Sequence, residues 1–297
     1  MDFRSKFGRG DTSRRTPLTA ASSPSRSGPR ITPGGAPAEK GVPKVVGVPL
    51  GSIIPRRLTD DPTLVLRHAP RSPLAERYRG LVHRIYPSQS NKDGRNQLIT
   101  ITSSAPDEGK TTTALNLALA LAEKKDHSTL IIDADLRRPS VCRYLTPAPK
   151  IGLSDVLTGE ARLEHVLLEL KDTKLTVLPA GTLVGNPQEL LRSEFVAALF
   201  TELRRRFDHI VIDTPPVVPF TDASVLSVLS DATMLVVRAG KTAKPLVERA
   251  LQALSSGNVI GITLNYVQIT AVDRYYYKYD DYNPERYTAR SDDRERE

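Results

Sequence analysis

The chain has no tryptophan, two methionines and a single cysteine in 297 residues. One thiol, Cys142, cannot close an internal disulfide, and neither it nor any of the five histidines stands in a metal-ligand pattern. That excludes a disulfide scaffold or zinc module and sets the expectation of a reducing compartment. Also missing is any run of ~18 apolar residues, the length a membrane-spanning helix needs. The most apolar stretch, Ala114 to Ala122, contains Asn116 and reads as a buried helix. Met1-Asp2-Phe3-Arg4 lacks the apolar segment of a secretory signal. These absences predict a cytoplasmic protein with one principal domain.

Aromatic residues are few, yet they are gathered at one place. Six of the ten tyrosines, Tyr275, Tyr276, Tyr277, Tyr279, Tyr282 and Tyr287, fall in the last 25 residues. Charge is uneven too. Residues 1–95 carry 18 Lys and Arg against 7 Asp and Glu, whereas residues 96–297 carry 24 against 27. The basic arm holds eleven prolines before residue 75 and few bulky apolar groups, so it cannot bury enough surface to fold alone. Residues 1–63 are therefore predicted to be disordered, with order beginning near Leu64. No compact Lys/Arg block occurs and no aromatic residues interleave the Arg, which favours a solvated tether over an arm that lies on anionic lipid or nucleic acid.

From Gln97 onward, apolar runs alternate with helical patterns, as in βαβ units on a parallel sheet. Strands are predicted at 98–102, 129–133, 175–178, 209–213, 233–237 and 259–264, and helices at 110–125, 187–206, 222–230 and 243–256. The strands are rich in Val, Ile and Leu without alternation, so both faces should be buried. An earlier helix is predicted over 73–85, with Ser72 as N-cap, Pro73 at its first position, and Leu74, Tyr78, Leu81 and Ile85 on one face. The fold class is α/β, a P-loop NTPase-type sheet flanked by helices, spanning about 64–272 and followed by a tail at 273–297.

Three segments carry chemistry. Ser103-Ser104-Ala105-Pro106-Asp107-Glu108-Gly109-Lys110-Thr111-Thr112 follows a strand and opens a helix, which aims backbone N–H groups and the helix dipole at a bound anion. Lys110 is then placed for the β- and γ-phosphates and Thr111 for Mg²⁺, while Ser104, Pro106, Glu108, Gly109 and Thr112 complete the cradle. Ser104 stands where the strict pattern has its first glycine. The second segment ends Asp133-Ala134-Asp135 and the third ends at Asp213, so three carboxylates sit at the C-terminal ends of strands, where α/β sheets bind ligands. Asp213 is the Walker B residue of this reading. Three close carboxylates repel unless a cation lies among them; Mg²⁺ with a triphosphate, held by Thr111, Asp135 and Asp213, supplies one, and Asp133 can then take a proton from an attacking hydroxyl. A plain Asp-x-Asp turn is the alternative for the first pair.

Thr102-Ser103-Ser104-Ala105-Pro106-Asp107-Glu108-Gly109-Lys110-Thr111-Thr112, Leu130-Ile131-Ile132-Asp133-Ala134-Asp135-Leu136-Arg137-Arg138-Pro139 and Ile210-Val211-Ile212-Asp213-Thr214-Pro215-Pro216-Val217 together resemble the Walker A, A′ and B motifs of bacterial tyrosine kinases. Asn186-Pro187-Gln188-Glu189 and Gly261-Ile262-Thr263-Leu264-Asn265 are similar to the same family, and the tyrosine-rich end is similar to its autophosphorylated cluster. The resemblance implies an ATP- and Mg²⁺-dependent autokinase of capsule or exopolysaccharide production, with Lys110, Asp133, Asp135 and Asp213 catalytic and Asn265 near the base. It further implies tails phosphorylated between protomers of a ring, a phosphotyrosine phosphatase, and a separate transmembrane adaptor that recruits the chain to the inner face of the membrane. Two departures stand out: Asp107 replaces a glycine of the loop, and Val82 replaces the last Arg of the oligomerisation pattern begun by Glu76 and Arg79. A ParA/MinD-like ATPase shares the fold but carries a second lysine where Ala105 stands here. A non-catalytic ATP-binding regulator is the remaining alternative.

Overall fold

The computed structural model describes residues 56–85, 97–124, 126–171 and 173–268. The expectations for residues 1–55 of the basic arm and for the six tail tyrosines fall outside them. In chain order the elements are β1 (Arg57–Leu58), α1 (Val65–His68), α2 (Pro73–Ile85), β2 (Gln97–Ser103), α3 (Lys110–Ala122), β3 (Thr129–Asp133), β4 (Leu145–Thr146), α4 (Leu153–Leu157) and α5 (Leu163–Val166). There follow β5 (Leu168–Glu169), β6 (Leu175–Leu178), α6 (Pro187–Leu191), α7 (Glu194–Arg206), β7 (His209–Asp213), α8 (Asp222–Leu229), β8 (Ala232–Arg238), α9 (Lys244–Ala253) and β9 (Val259–Asn265).

Seven strands form one sheet in the order β5-β6-β3-β7-β2-β8-β9, parallel throughout except for the short antiparallel edge β5. Alternation along each strand divides its side chains between two layers. Ile99, Ile101, Ile131 and Val211 pack under α3, while Leu98, Leu130, Ile132, Ile210 and Ile212 meet Phe200 and Leu203 of α7 and Leu226 of α8. Each side chain of this size taken fully out of water contributes about 1.5–3 kcal/mol. Helix α3 is covered on all sides, with Thr111 and every residue from Thr113 to Leu121 buried. Its one interior amide, Asn116, donates to the carbonyls of Thr63 and Thr112 and accepts the Leu66 N–H, which ties the segment leading into α1 to the central helix.

Several boundaries moved. The segment expected as one helix over 187–206 is two, because the turn closed by the Ser193 hydroxyl on the Leu190 carbonyl interrupts it. Order reaches back to β1, ahead of Leu64, because Arg57 and Leu58 pair with Thr146 and Leu145 in a two-stranded sheet too short to leave a periodic signal. Ser72 caps α2 through its hydroxyl and the Ala75 N–H, as expected. Tyr78, Leu81 and Ile85 of the predicted face pack against the core, but Leu74 is exposed and the fully buried residues are Ala75 and Val82. Val82 thus belongs to the core.

At the opposite end of the sheet from the strand C-termini, the buried ring of His209 stacks on His127 with centroids 5.0 Å apart. Burial, with help from His127 and Lys124, pushes its pKa down to about 4. The unfolded imidazole accepts a proton near 6.5. This contribution to stability is therefore complete above pH 6.5 and is lost as pH falls towards 4, by up to about 3 kcal/mol. Urea unfolding of His209→Phe at pH 7 and pH 4.5 should show a smaller acid loss than the wild type; an equal loss would refute the assignment.

Candidate active site

The strand order puts the three chemical segments side by side. β2 is flanked by β7, and β7 by β3, with Ile101 in register with Asp213 and Asp213 with Asp133. The loop leaving β2 turns through Asp107 at φ +60° and Gly109 at φ +86° before α3 begins. Asp107 therefore occupies the left-handed conformation that a glycine would supply without strain. At Gly109 a methyl group would lie 2.0 Å from Asn265 Nδ2 as well as requiring that conformation. Gly109→Ala is expected to push Asn265 out, distort the cradle and weaken nucleotide binding by at least tenfold, about 1.4 kcal/mol; calorimetric titration with Mg·ATP measures it.

Lys110, the first residue of α3, folds back over the loop. Its ammonium is 2.9 Å from Asp135 Oδ2 and 3.7 Å from Asp213 Oδ1. The Thr111 hydroxyl lies 2.6 Å from Asp213 Oδ2 and 2.7 Å from Ser140 Oγ. Asp133 accepts the N–H groups of Ser140 and Val141 at 3.1 and 3.0 Å through one oxygen and that of Asp135 at 3.2 Å through the other. β3 stops at Asp133, so strand alternation does not aim Asp135; the turn after it does, with Asp135 also accepting the Arg138 N–H. The pair forms the turn of the alternative reading, and Asp135 at the same time meets Lys110.

The cation among the carboxylates is the Lys110 ammonium. Burial opposes its charge, but Asp213, Asp135 and Asp133 outweigh that and hold its pKa above the ordinary value. Asp133 is pushed up to about 7, first by complete burial and then by the neighbouring Asp213, against the pull of its backbone donor and Lys110. Asp213 is raised by burial, partly offset by Lys110 and Thr111. Among the described residues no three His, Cys, Asp or Glu side chains are arranged to hold a metal on their own. A divalent ion here would need ligands from a phosphate chain and water besides Thr111 and a carboxylate, as Mg²⁺ commonly takes.

Above this cluster lies a cavity of about 430 Å³. Pro106, Gly109, Lys110, Thr111, Thr112 and Asp135 line it among the predicted residues. Asp133 and Asp213 are buried beneath its floor. Ser104, Glu108 and Asn265, predicted to bind the nucleotide, are not among the lining residues. Glu108 is 2% exposed and its carboxyl accepts the Ala105 N–H and the Thr242 hydroxyl, while Asn265 donates to the Glu108 carbonyl. The sequence reading missed Arg138, Arg143, Ser140, Tyr144 and Tyr266 in the lining. It also missed what holds Arg137, whose guanidinium is paired with buried Asp222 and lies 4.4 Å over the Phe220 ring. Only Arg137 and Arg138, directly after the acidic pair, left any signal. A triphosphate with a divalent ion fits: the lining carries four cationic side chains, and Asp213 Oδ1 is a buried carboxylate oxygen without a hydrogen-bond partner.

Residues 96–255, more than half of the chain, match the AAA domain family. The tyrosine-protein kinase YwqD of Bacillus subtilis is 33% identical over 210 residues, 70% of this chain and 87% of that protein. The chain belongs to the bacterial tyrosine kinase family. The chimerical protein CapA2B2, a crystal structure, superposes with a TM-score of 0.63 at 30% identity, covering 73% of this kinase and 96% of that chain. The succinoglycan biosynthesis transport protein ExoP of Rhizobium meliloti is 35% identical over 212 residues, which are 70% of this kinase but only 27% of ExoP. In this tyrosine kinase Arg79, part of the altered oligomerisation pattern, is engaged within its own chain by Glu123, the Pro70 carbonyl and Glu76. Among its described residues no helix is long and apolar enough to cross a membrane.

Proposed function

We propose that this tyrosine kinase transfers the γ-phosphate of Mg·ATP to tyrosines of its own C-terminal segment, Tyr275, Tyr276, Tyr277, Tyr279, Tyr282 and Tyr287, on neighbouring copies. The observation that carries the reading is the Lys110 ammonium held between Asp135 and Asp213, beside buried Asp133, under an arginine-lined cavity. Such a group is stored in the site by charges it must leave when a phosphate chain arrives. Lys110 moves to the phosphate oxygens, and its departure opens the floor above Asp133. Asp133, with a pKa near 7, is matched to accept the phenol proton at Oδ1 or Oδ2. Asp213 and Asp135, released from Lys110, and the Thr111 hydroxyl are the groups that would hold Mg²⁺. The bound ion would supply charge neutralisation on the transferring phosphoryl group. Arg138 and Arg143 on the rim add positive charge where negative charge accumulates.

The biological role follows the similarity to ExoP, a succinoglycan biosynthesis transport protein: phosphorylation of the tail would regulate assembly and export of a polysaccharide, with a transmembrane adaptor recruiting the kinase to the membrane, a phosphatase resetting it and a homo-oligomeric ring presenting tails in trans. Each phosphate adds about −1.5 to −2 charges to a tail already holding Asp280, Asp281 and Glu285, and repulsion from the acidic site then releases it. The test is incubation of the full chain with Mg·ATP and an activating adaptor segment, followed by phosphosite mapping. Phosphotyrosine in the tail is expected. Hydrolysis without phosphotyrosine would return the ParA/MinD-like reading, and neither activity the regulator reading.

A further inference from the structure

Tyr266 follows β9 in a backbone conformation that aromatic residues avoid, at φ +57°. Strained positions of this kind persist only where their surroundings hold them. Here the surroundings form a closed circuit with the phosphate loop. The Tyr266 N–H donates to Asn265 Oδ1 at 2.9 Å, and Asn265 Nδ2 donates to the Glu108 carbonyl at 3.0 Å. The Glu108 carboxyl accepts the Thr242 hydroxyl, and Thr242 Oγ1 accepts the Arg238 N–H at 3.3 Å. The Arg238 guanidinium lies 4.3 Å over the Tyr266 ring, which closes the circuit. The ring lines the same cavity as Lys110, is 54% exposed, and passes 3.5 Å from the position a Gly109 side chain would take.

We infer that Tyr266 is the platform on which the purine base stacks, and that it sets the preference for the base. The inference rests on the nucleotide site proposed above and adds the group that reads the end remote from the phosphates. Sheet order decides between base and acceptor phenol as the partner of the ring. Asp133 lies at the end of β3, on one side of the loop leaving β2, whereas Tyr266 follows β9, on the other side beyond β8. The acceptor must approach the side that takes its proton, which leaves the Tyr266 flank to the base. Arg238 fixes the ring from one face by a cation–π contact, so the platform is preformed, and the circuit through Glu108 couples it to the loop that holds the phosphates.

The experiment compares binding of Mg·ATP, Mg·CTP and Mg·tripolyphosphate to full-length wild type, Tyr266→Phe and Tyr266→Ala by calorimetry. Loss of a base-aromatic stack is worth roughly 5- to 150-fold in affinity. Tyr266→Ala is expected to weaken ATP within that range, to narrow the preference for ATP over CTP, and to leave tripolyphosphate within about twofold; Tyr266→Phe should behave as wild type. Equal weakening of ATP and tripolyphosphate would mean that the residue only shapes the loop, and no change in ATP would mean that the base lies elsewhere; either overturns the platform. A rise in KM for an acceptor peptide with ATP affinity unchanged would assign the ring to the phenol and overturn it as well. Wild type that binds tripolyphosphate as tightly as ATP refutes the platform but spares the phosphate site, whereas wild type that binds neither refutes both.

Discussion

Lys110→Met is expected to abolish tail phosphorylation and, in nucleotide-free protein at pH 8, to lower the melting temperature by roughly 10 °C. The activity loss follows from removing a cation aimed at the transferring phosphoryl group, worth about 10²–10³-fold or more. The stability loss follows from the neighbours. Asp133 and Asp213 are fully buried and Asp135 nearly so, and Lys110 is the cation that both Asp135 and Asp213 contact. Removing one partner of a buried ion cluster costs about 3–5 kcal/mol because the remaining charge stays desolvated. The sign of the pH dependence is fixed by the same groups. Without the ammonium the carboxyl pKa values rise further, so the folded variant binds protons more tightly than the unfolded chain and regains stability as pH falls towards 5. Scanning calorimetry in EDTA at pH 8 and pH 5 is the measurement. A variant as stable as wild type at pH 8, or one whose deficit is the same at both pH values, would show that Lys110 does not neutralise the cluster.

How much of this could be read from the chain differs by feature, and the reasons are physical. Strands β3, β6 and β7 are continuous aliphatic runs buried on both faces, and their bounds match the sequence reading to the residue. Asp133 and Asp213 were legible because a charge at the end of such a run has one place to go in a parallel sheet. The two-residue strands β1, β4 and β5 were not, since two residues carry no period. Leu74 was assigned inward by its spacing from Tyr78, Leu81 and Ile85, which do pack on the core, but it lies in the first turn of α2 and is exposed, while Ala75 and Val82 are buried. Lys110 as the resident counter-ion was hidden for a different reason. A phosphate-loop lysine is read for the ligand it will meet, whereas in the free protein it must satisfy the carboxylates already there. Glu108 and Asn265 were identified as site residues without their actual task of bracing the loop, because long-range hydrogen bonds to Thr242 and between each other have no trace in local pattern. Tyr266 gave no signal at all: its importance comes from a backbone angle and from Arg238 on the adjacent strand.

Asp133→Asn should separate catalysis from stability, because the same burial that prepares Asp133 as a base makes its charge costly in the free protein. Its pKa is raised from an unfolded value near 4 to about 7, by burial first and by Asp213 second. For an acid with a raised folded pKa, the favourable contribution is complete below the unfolded pKa and is lost as pH rises through the folded one, here between pH 4 and 7. Some three units correspond to about 4 kcal/mol as an upper figure for a site coupled to Asp213 and Lys110. Asn keeps an oxygen for the Ser140 and Val141 N–H groups and cannot ionise. The variant is therefore expected to melt higher than wild type at pH 8 in EDTA, to have lost most of that advantage at pH 5, and to form no phosphotyrosine at either pH. Lower stability at pH 8 would show that the Asp133 carboxylate is a net stabiliser through its three backbone donors, and phosphotyrosine near the wild-type level would remove it as the proton acceptor. The two readouts respond to different properties of one carboxyl group, the cost of its charge when the site is empty and its basicity when a phenol is present. Agreement of both with expectation would mean that the kinase holds its base ready at the expense of the stability of its resting fold.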